Sequence, residues 1–147
     1  MIYLLDTDTL VFLIRGLKAT RRPARQRAEQ LAKRCERVWS QGDSIGLSAI
    51  TVSEMEFGAR GSDDYEAEMA AYKKFEAPFS VFDYDVIDCP SQYGLIRHEL
   101  QSKGIVIGAL DMLIAAHALA LGATLITNNT AHFTRVPGLK TVNWLRE

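Results

Sequence analysis

Short apolar segments alternate with longer amphipathic segments along almost the whole chain. IYLLD at 2–6 is apolar and rich in β-favouring residues, and ATLITNN at 123–129 begins almost continuously apolar. Such runs are typical of strands buried on both faces of a parallel sheet. The intervening segments place apolar residues three and four apart, which predicts helices. The alternation predicts a three-layer α/β/α domain with a mostly parallel sheet of about five strands.

The remaining elements are placed by the same patterns and by turn residues. We expect further strands at 44–49, 79–85 and 140–144. A first helix should follow 2–6, with Thr7 or Asp8 as its N-cap. The other predicted helices occupy 23–39, 51–60, 63–77, 86–103 and 108–122.

Size and composition favour one globular domain that covers 1–147. The chain is 48% hydrophobic and 24% charged, which suits a single packed core. No apolar run approaches the roughly 18–20 residues that span a bilayer, and the start lacks the basic leader of a signal peptide. Cys35 and Cys89 show no paired spacing, so we expect reduced thiols and a cytoplasmic protein without membrane contact.

Positive charge is concentrated in residues 15–37. This segment holds nine of the seventeen Lys and Arg against two Glu, whereas the rest of the chain has eight basic and sixteen acidic residues. The asymmetry indicates an acidic site elsewhere and a basic surface that could hold a polyanion, although a solvated helix face would also explain it.

Three carboxylates are expected to meet at one edge of the sheet. Asp6 ends the first strand, Glu54 lies in the first turn of the helix after the second strand, and Asp111 lies in the first turn of an otherwise apolar helix. In parallel sheets, binding sites lie outside the carboxyl ends of the strands. Each acid alone could be a helix cap, but their convergence predicts a metal site.

Oxygen ligands without nearby Cys or His favour Mg²⁺, with Mn²⁺ as a substitute. Such an ion can activate water and stabilise the oxyanions of phosphodiester cleavage. Asn129 could hydrogen-bond a metal-bound water, and Thr127 could orient Asp6 or a water. Asp8 is either a fourth acidic neighbour or the helix cap.

The histidines are given no role in the chemistry. His117 lies on the apolar helix six residues after Asp111 and is expected in the core. His98 is expected on a helix surface. His132, just past Asn129, could approach the site, although loop histidines are usually incidental.

Three segments resemble the VapC toxins of the PIN-domain family. They are YLLDTDTLVFLI, LSAITVSEMEFGA and IGALDMLIAAHALALGATLITNNTAHFTRVPGLKTVNW, in the family's order and spacing across almost the whole chain. The resemblance implies a PIN fold, Mg²⁺-dependent endoribonuclease activity of a type II toxin–antitoxin system, a homodimer and a cognate antitoxin. It also implies RNA as substrate, with tRNA favoured over rRNA or mRNA.

Residue by residue, the resemblance assigns the family's three acids to Asp6, Glu54 and Asp111, and the fourth position to Asn129. Asp8 stands where the family most often has Asn, which adds a negative charge beside the metal. The basic stretch 15–37 is longer than in compact relatives. We expect its outer helix face to contact the RNA backbone, with an acidic antitoxin as the alternative occupant.

Two other classes share parts of this pattern. LLDTD and LITNN mimic motifs of haloacid-dehalogenase-type phosphatases, but Leu10 stands where that class needs Thr or Val. A non-catalytic, receiver-like binding module with an acidic Mg²⁺ pocket would need an Asp after a middle strand and a Lys after a late one. GLS ends the second strand without an Asp, and no Lys follows the fourth strand before Lys140.

Overall fold

The computed structural model describes residues 1–146 as one α/β domain, which confirms the predicted fold class. These residues form five strands and seven helices. The strands are β1 (Ile2–Leu5), β2 (Ser44–Ser48), β3 (Ser80–Phe82), β4 (Thr124–Ile126) and β5 (Lys140–Val142). The helices are α1 (Thr7–Lys18), α2 (Arg22–Ser40), α3 (Ala49–Arg60), α4 (Tyr65–Glu76), α5 (Asp88–Ser102), α6 (Ala109–Leu121) and α7 (Thr130–Phe133).

All five strands are parallel, in the order β3-β2-β1-β4-β5. The central strand β1 pairs through Tyr3 with Ile45 on one side and Thr124 on the other. The carboxyl ends of all the strands therefore lie along one edge of the sheet, which we call the carboxyl edge. The backbone N–H of Asp6 donates to the carbonyl of Ile126 at 3.0 Å and extends the β1–β4 pairing to that edge.

Helices cover both faces of the sheet. Leu5 points toward α1 and α2 and belongs to one buried cluster, whereas its neighbour Leu4 packs with α5 and α6 in a second cluster. Leu125 and Ile126 repeat this alternation on β4, as the period of two in a strand requires. The sheet is thus the middle of three layers, with a core on each side.

Helix α2 packs closely on α1 and runs antiparallel to the strands. A Cβ on Gly16 would collide with the Cβ of Ala28, so glycine permits this close approach. At the end of α2, Asp43 pairs with the amino group of Met1 at 3.0 Å, which places this end beside the strand starts. The N-terminal half of α2 therefore lies toward the carboxyl edge.

The structure differs locally from the prediction at the start of α1 and after β4. Asp6, rather than Thr7 or Asp8, is the N-cap of α1, because its carboxylate accepts a hydrogen bond from the Thr9 amide at 2.9 Å. The four-residue helix α7 was not predicted. Among the described residues, no helix is both long and apolar enough to cross a membrane.

Candidate active site at the carboxyl edge of the sheet

Asp6 is a buried carboxylate at the junction of β1 and α1. Its side chain is only 4% exposed. Burial raises its pKa, while hydrogen bonds from the Thr127 hydroxyl and from Thr9 oppose that rise. Within residues 1–146, no Lys, Arg or His lies within salt-bridge distance of Asp6. The fold therefore keeps a carboxyl group at this edge without a compensating cation of its own.

Glu54 faces the same edge from α3. It lies in the second turn of that helix, one turn later than predicted, because Ser48 caps a helix that begins at Ala49. The Thr7 hydroxyl donates to Glu54 Oε1 at 2.8 Å and also lies 2.9 Å from the buried Thr51 hydroxyl. These hydroxyls hold the carboxylate in one orientation.

The pKa of Glu54 is raised by the other acids of this edge. Burial raises it most, and the hydrogen bond from Thr7 lowers it. Asp111, Asp8 and Asp6 then raise it further through their negative charges. Charges in a protein influence one another over several ångströms, so these carboxylates face the same edge of the sheet. Asp6, Glu54 and Asp111 are therefore gathered in one acidic site, with the exposed Asp8 at its margin.

Asp111 lies beside His132, a residue that was given no role in the chemistry. Its carboxylate Oδ2 lies 3.3 Å from His132 Nε2, and its side chain is 43% exposed. Burial raises the pKa of Asp111, the nearby His132 lowers it, and Asp8 raises it. Of the two interpretations of His132, the structure has the one in which it approaches the site.

Arg135 orients His132. Its Nη2 lies 2.7 Å from His132 Nδ1, and its Nε donates to the His132 carbonyl at 3.1 Å. Because arginine can only donate, Nδ1 accepts and the ring proton is on Nε2, toward Asp111. Phe133 anchors α7 by burying its side chain, and this aromatic residue was the one sequence signal for the short helix.

Thr127 and Asn129 take different positions. Thr127 is buried and contacts Asp6, and its hydroxyl accepts a hydrogen bond from the Asn129 amide at 2.9 Å. The Asn129 residue is exposed and reaches the acids only through this backbone link. The role of Thr127 in orienting Asp6 and the contact of Asn129 with a water both remain predictions.

The donor set is suited to a hard divalent cation. The three acids offer carboxylate oxygens, and no Cys lies among the groups that affect their pKa values. Within residues 1–146, no three Asp, Glu, His or Cys side chains already form a ligand set for one ion. Mg²⁺ commonly binds through one or two carboxylates and several waters, so this arrangement is compatible with it. The three-residue ligand set stays a prediction.

The other two histidines and both cysteines lie where the sequence placed them. His117 is fully buried, and its Nδ1 lies 2.7 Å from the Ser48 hydroxyl. His98 is exposed on α5. Cys35 and Cys89 are buried free thiols.

Comparisons with known proteins agree on one family. The PIN domain profile matches residues 3–139. Ribonuclease VapC2 of Rickettsia felis is 35% identical over 146 residues, which cover 98% of both chains. The tRNA(fMet)-specific endonuclease VapC of Shigella flexneri is 33% identical over 142 residues, with 97% of both chains covered.

Solved structures give the same result. The DNA-bound VapBC from Salmonella typhimurium matches with a TM-score of 0.83, at 31% identity over 98% of both chains. VapBC2 from Rickettsia felis, bound to a promoter DNA fragment, matches with a TM-score of 0.80 at 34% identity, over 98% of this chain and 99% of that one. These matches favour the nuclease over the phosphatase and the receiver-like module. The chain belongs to the VapC ribonucleases of the PIN-domain family.

Proposed function

We propose that this chain is a divalent-metal-dependent endoribonuclease and the toxin of a type II toxin–antitoxin pair, acting in the cytoplasm on tRNA. The observation that carries the proposal is the group of three partly or fully buried acids with raised pKa values at the carboxyl edge. An acidic cluster of this kind is electrostatically unfavourable unless a cation is shared among its members.

Asp6 and Asp111 are the residues that we expect to hold Mg²⁺, or Mn²⁺ in its place. Glu54 would contribute directly or through a water, since Thr7 already occupies one of its oxygens. When bound, the ion supplies charge stabilisation for phosphodiester cleavage and lowers the pKa of a coordinated water.

The neighbouring polar residues serve the geometry of this site. The Thr127 hydroxyl orients the Asp6 carboxylate, and the Thr7 hydroxyl orients Glu54. Asn129 is exposed beside them and would hydrogen-bond a water or a phosphate oxygen. His132 holds Asp111 from the side that faces α7.

The RNA class is proposed from similarity. The Shigella flexneri relative is described as tRNA(fMet)-specific, and the coverage of both chains is nearly complete. We infer tRNA as the substrate class on this ground. End-mapping of cellular RNA after brief induction would identify the RNA and the position that is cut.

An antitoxin and a second copy of the chain are the proposed partners, because the Salmonella and Rickettsia structures are VapBC complexes. Phe12, an apolar residue of α1, gives no support to the homodimer, because its side chain packs against the core. Large exposed apolar side chains lie elsewhere, with Phe57 at 83% and Val86 at 82% exposure. Light scattering at tens of micromolar would detect a dimer, and a monomeric mass would contradict it.

The direct test of the reaction replaces one acid at a time. Asp6→Asn and Asp111→Asn should each abolish RNA cleavage and growth inhibition while the circular dichroism spectrum stays that of the wild type. A matched control is Asp63→Asn, which removes an exposed acid distant in sequence from the site. A fully active Asp6→Asn variant would refute the mechanism.

A further inference from the structure

A basic groove runs between the outer face of α2 and the residues that follow β5. It consists of two cavities of about 310 and 410 Å³. The first lies between α2 and Trp144, and the second reaches Phe12 and Asn128. Arg27 and Leu145 line both cavities, so the two adjoin and we treat them as one groove. We call it the α2 groove; its basic residues are Arg27, Lys33, Arg34, Arg37 and Arg146.

None of the described residues that line the α2 groove is acidic. Arg34 is engaged, since its guanidinium lies 5.2 Å from the centre of the Trp144 ring. For the other four basic residues, no carboxylate in residues 1–146 lies within salt-bridge distance. Four cations are thus available to an anion that enters from solvent.

The remaining arginines of the segment lie outside the groove. Arg25 pairs with Glu29 at 3.0 Å, and both line a separate cavity together with Arg22. The expected basic face of α2 is therefore divided into two sides, and the groove takes only one of them.

The groove opens at the carboxyl edge, next to the acidic site. Asn128 lines its second cavity and accepts a hydrogen bond from the Asn143 amide at 3.2 Å. Two residues before Asn128, the carbonyl of Ile126 accepts a hydrogen bond from the Asp6 amide at 3.0 Å. One end of the groove thus lies on the β4–β5 side of the acids.

We propose that the α2 groove binds the phosphate backbone of the RNA segment adjacent to the cleaved bond. The inference rests on the proposed function, because it takes RNA as the substrate. An acidic site repels a polyanion, so a chain of phosphates can be held there only if cations lie close by. A substrate needs cations on the side of the acids at which the groove ends, whereas a protein partner does not.

The contact should be independent of base sequence. Two aromatic side chains line the groove, Trp144 and Phe12. Phe12 is half-buried against the core, and Trp144 is only 6% exposed with its ring covered by Arg34. Trp144 is therefore unavailable for stacking on a base. Phosphate contacts position a nucleic acid without reading it. Arg27 and Arg37 are ten residues apart on α2, which is about 15 Å along the helix and enough for more than one phosphate.

The test uses a fluorescein-labelled single-stranded RNA and the metal-free protein in EDTA, so that binding is measured without cleavage. The variant carries Arg27→Glu, Arg37→Glu and Arg146→Glu. Its matched control carries Lys74→Glu, Lys103→Glu and Lys140→Glu, an equal charge change at exposed positions outside the groove. If the groove variant does not fold, the three arginines are changed to Gln and the lysines likewise.

We expect the groove variant to bind RNA about tenfold more weakly or worse, with its salt dependence reduced by about 0.7 in slope for each lost phosphate contact. The control should bind like the wild type, and the preferred cleavage position should not change. Equal weakening in both variants would overturn the inference, since total charge would then explain it. Unaltered RNA affinity, whether or not antitoxin binding is lost, would also overturn it. A wild-type protein that binds RNA but fails to cut it with Mg²⁺ would instead contradict the proposed function.

Discussion

Asp6→Asn should remove activity without lowering the stability of the metal-free protein. Asp6 is 4% exposed, and its carboxylate accepts from the Thr9 amide at 2.9 Å as the N-cap of α1. Asparagine caps a helix about as well as aspartate does, so this hydrogen bond can be kept. Alanine cannot cap, and Asp6→Ala should be about 1 kcal/mol less stable than Asp6→Asn. For a domain of this size, that corresponds to about 3 °C in Tm.

The pH dependence of stability separates the two contributions of Asp6, its hydrogen bond as the helix cap and its buried negative charge. Burial raises the pKa of Asp6 above its ordinary 3.8, so the folded wild type binds this proton more tightly than the unfolded chain. The unfolded chain therefore ionises first as pH rises, and the wild type loses stability between 3.8 and the raised folded value. The Asp6→Asn variant has no such loss, because an amide does not ionise in this range. Relative to the wild type, the free energy of unfolding of the variant should rise across that pH window and stay higher at neutral pH. Below the window, the variant should show no such advantage.

The assay is urea unfolding in EDTA at several pH values, paired with RNA cleavage in Mg²⁺. The difference in stability between Asp6→Ala and Asp6→Asn measures the contribution of the helix cap. The difference between Asp6→Asn and the wild type measures the effect of the charge. If Asp6→Asn lost as much stability as Asp6→Ala at neutral pH, burial of the charge would not be what raises this pKa. The buried charge of Asp6 would then no longer be a reason to expect a cation at this site.

Three further outcomes are expected. Thr7→Val should cost about 1 kcal/mol in urea unfolding and lower kcat, because Glu54 loses its donor at 2.8 Å; unchanged kcat would show that Glu54 needs no such orientation. Mg²⁺ at about 100 times its Kd should stabilise the wild type by about 2.7 kcal/mol in thermal melts, and Asp111→Asn should abolish most of that gain; equal gains would place the ion elsewhere. His117→Asn should cost about 2 kcal/mol, since its bond to Ser48 at 2.7 Å is fully buried, while kcat per folded molecule is retained; the reverse pattern would give His117 a catalytic role.

The parallel sheet and the positions of its acids could be predicted from local patterns. Apolar runs mark β1 and β4, and the rule for carboxyl ends then brings Asp6 and Thr127 to one edge. Asp111 stood out as an acid in an apolar helix, and the structure places it beside the others. These inferences needed only periodicity and chain direction, which short sequence windows contain.

The features that were not predicted depend on tertiary contacts, which a short sequence window does not contain. Helix α7 has four residues, too few for a helical period to be visible, so His132 was not placed against Asp111. The division of the basic segment depended on which side of α2 meets Trp144, a residue that is distant in sequence. The cap was assigned to Thr7 or Asp8 because propensity alone does not distinguish neighbouring polar residues at a strand end.

Replacing Asp6 and replacing Asp111 should change the stability of the metal-free protein by different amounts, although both residues are expected to bind the metal. Asp6 is almost fully buried, whereas the Asp111 side chain is 43% exposed and lies 3.3 Å from His132. Water and the histidine ring both reduce the cost of ionising Asp111, so its replacement by Asn should change metal-free stability less than Asp6→Asn does. Cleavage should be lost equally in the two variants, because each removes a ligand. Parallel urea unfolding in EDTA at neutral pH compares them directly. Equal stability gains would mean that mutual repulsion among the acids, which both variants relieve, outweighs burial as the cause of the raised pKa values.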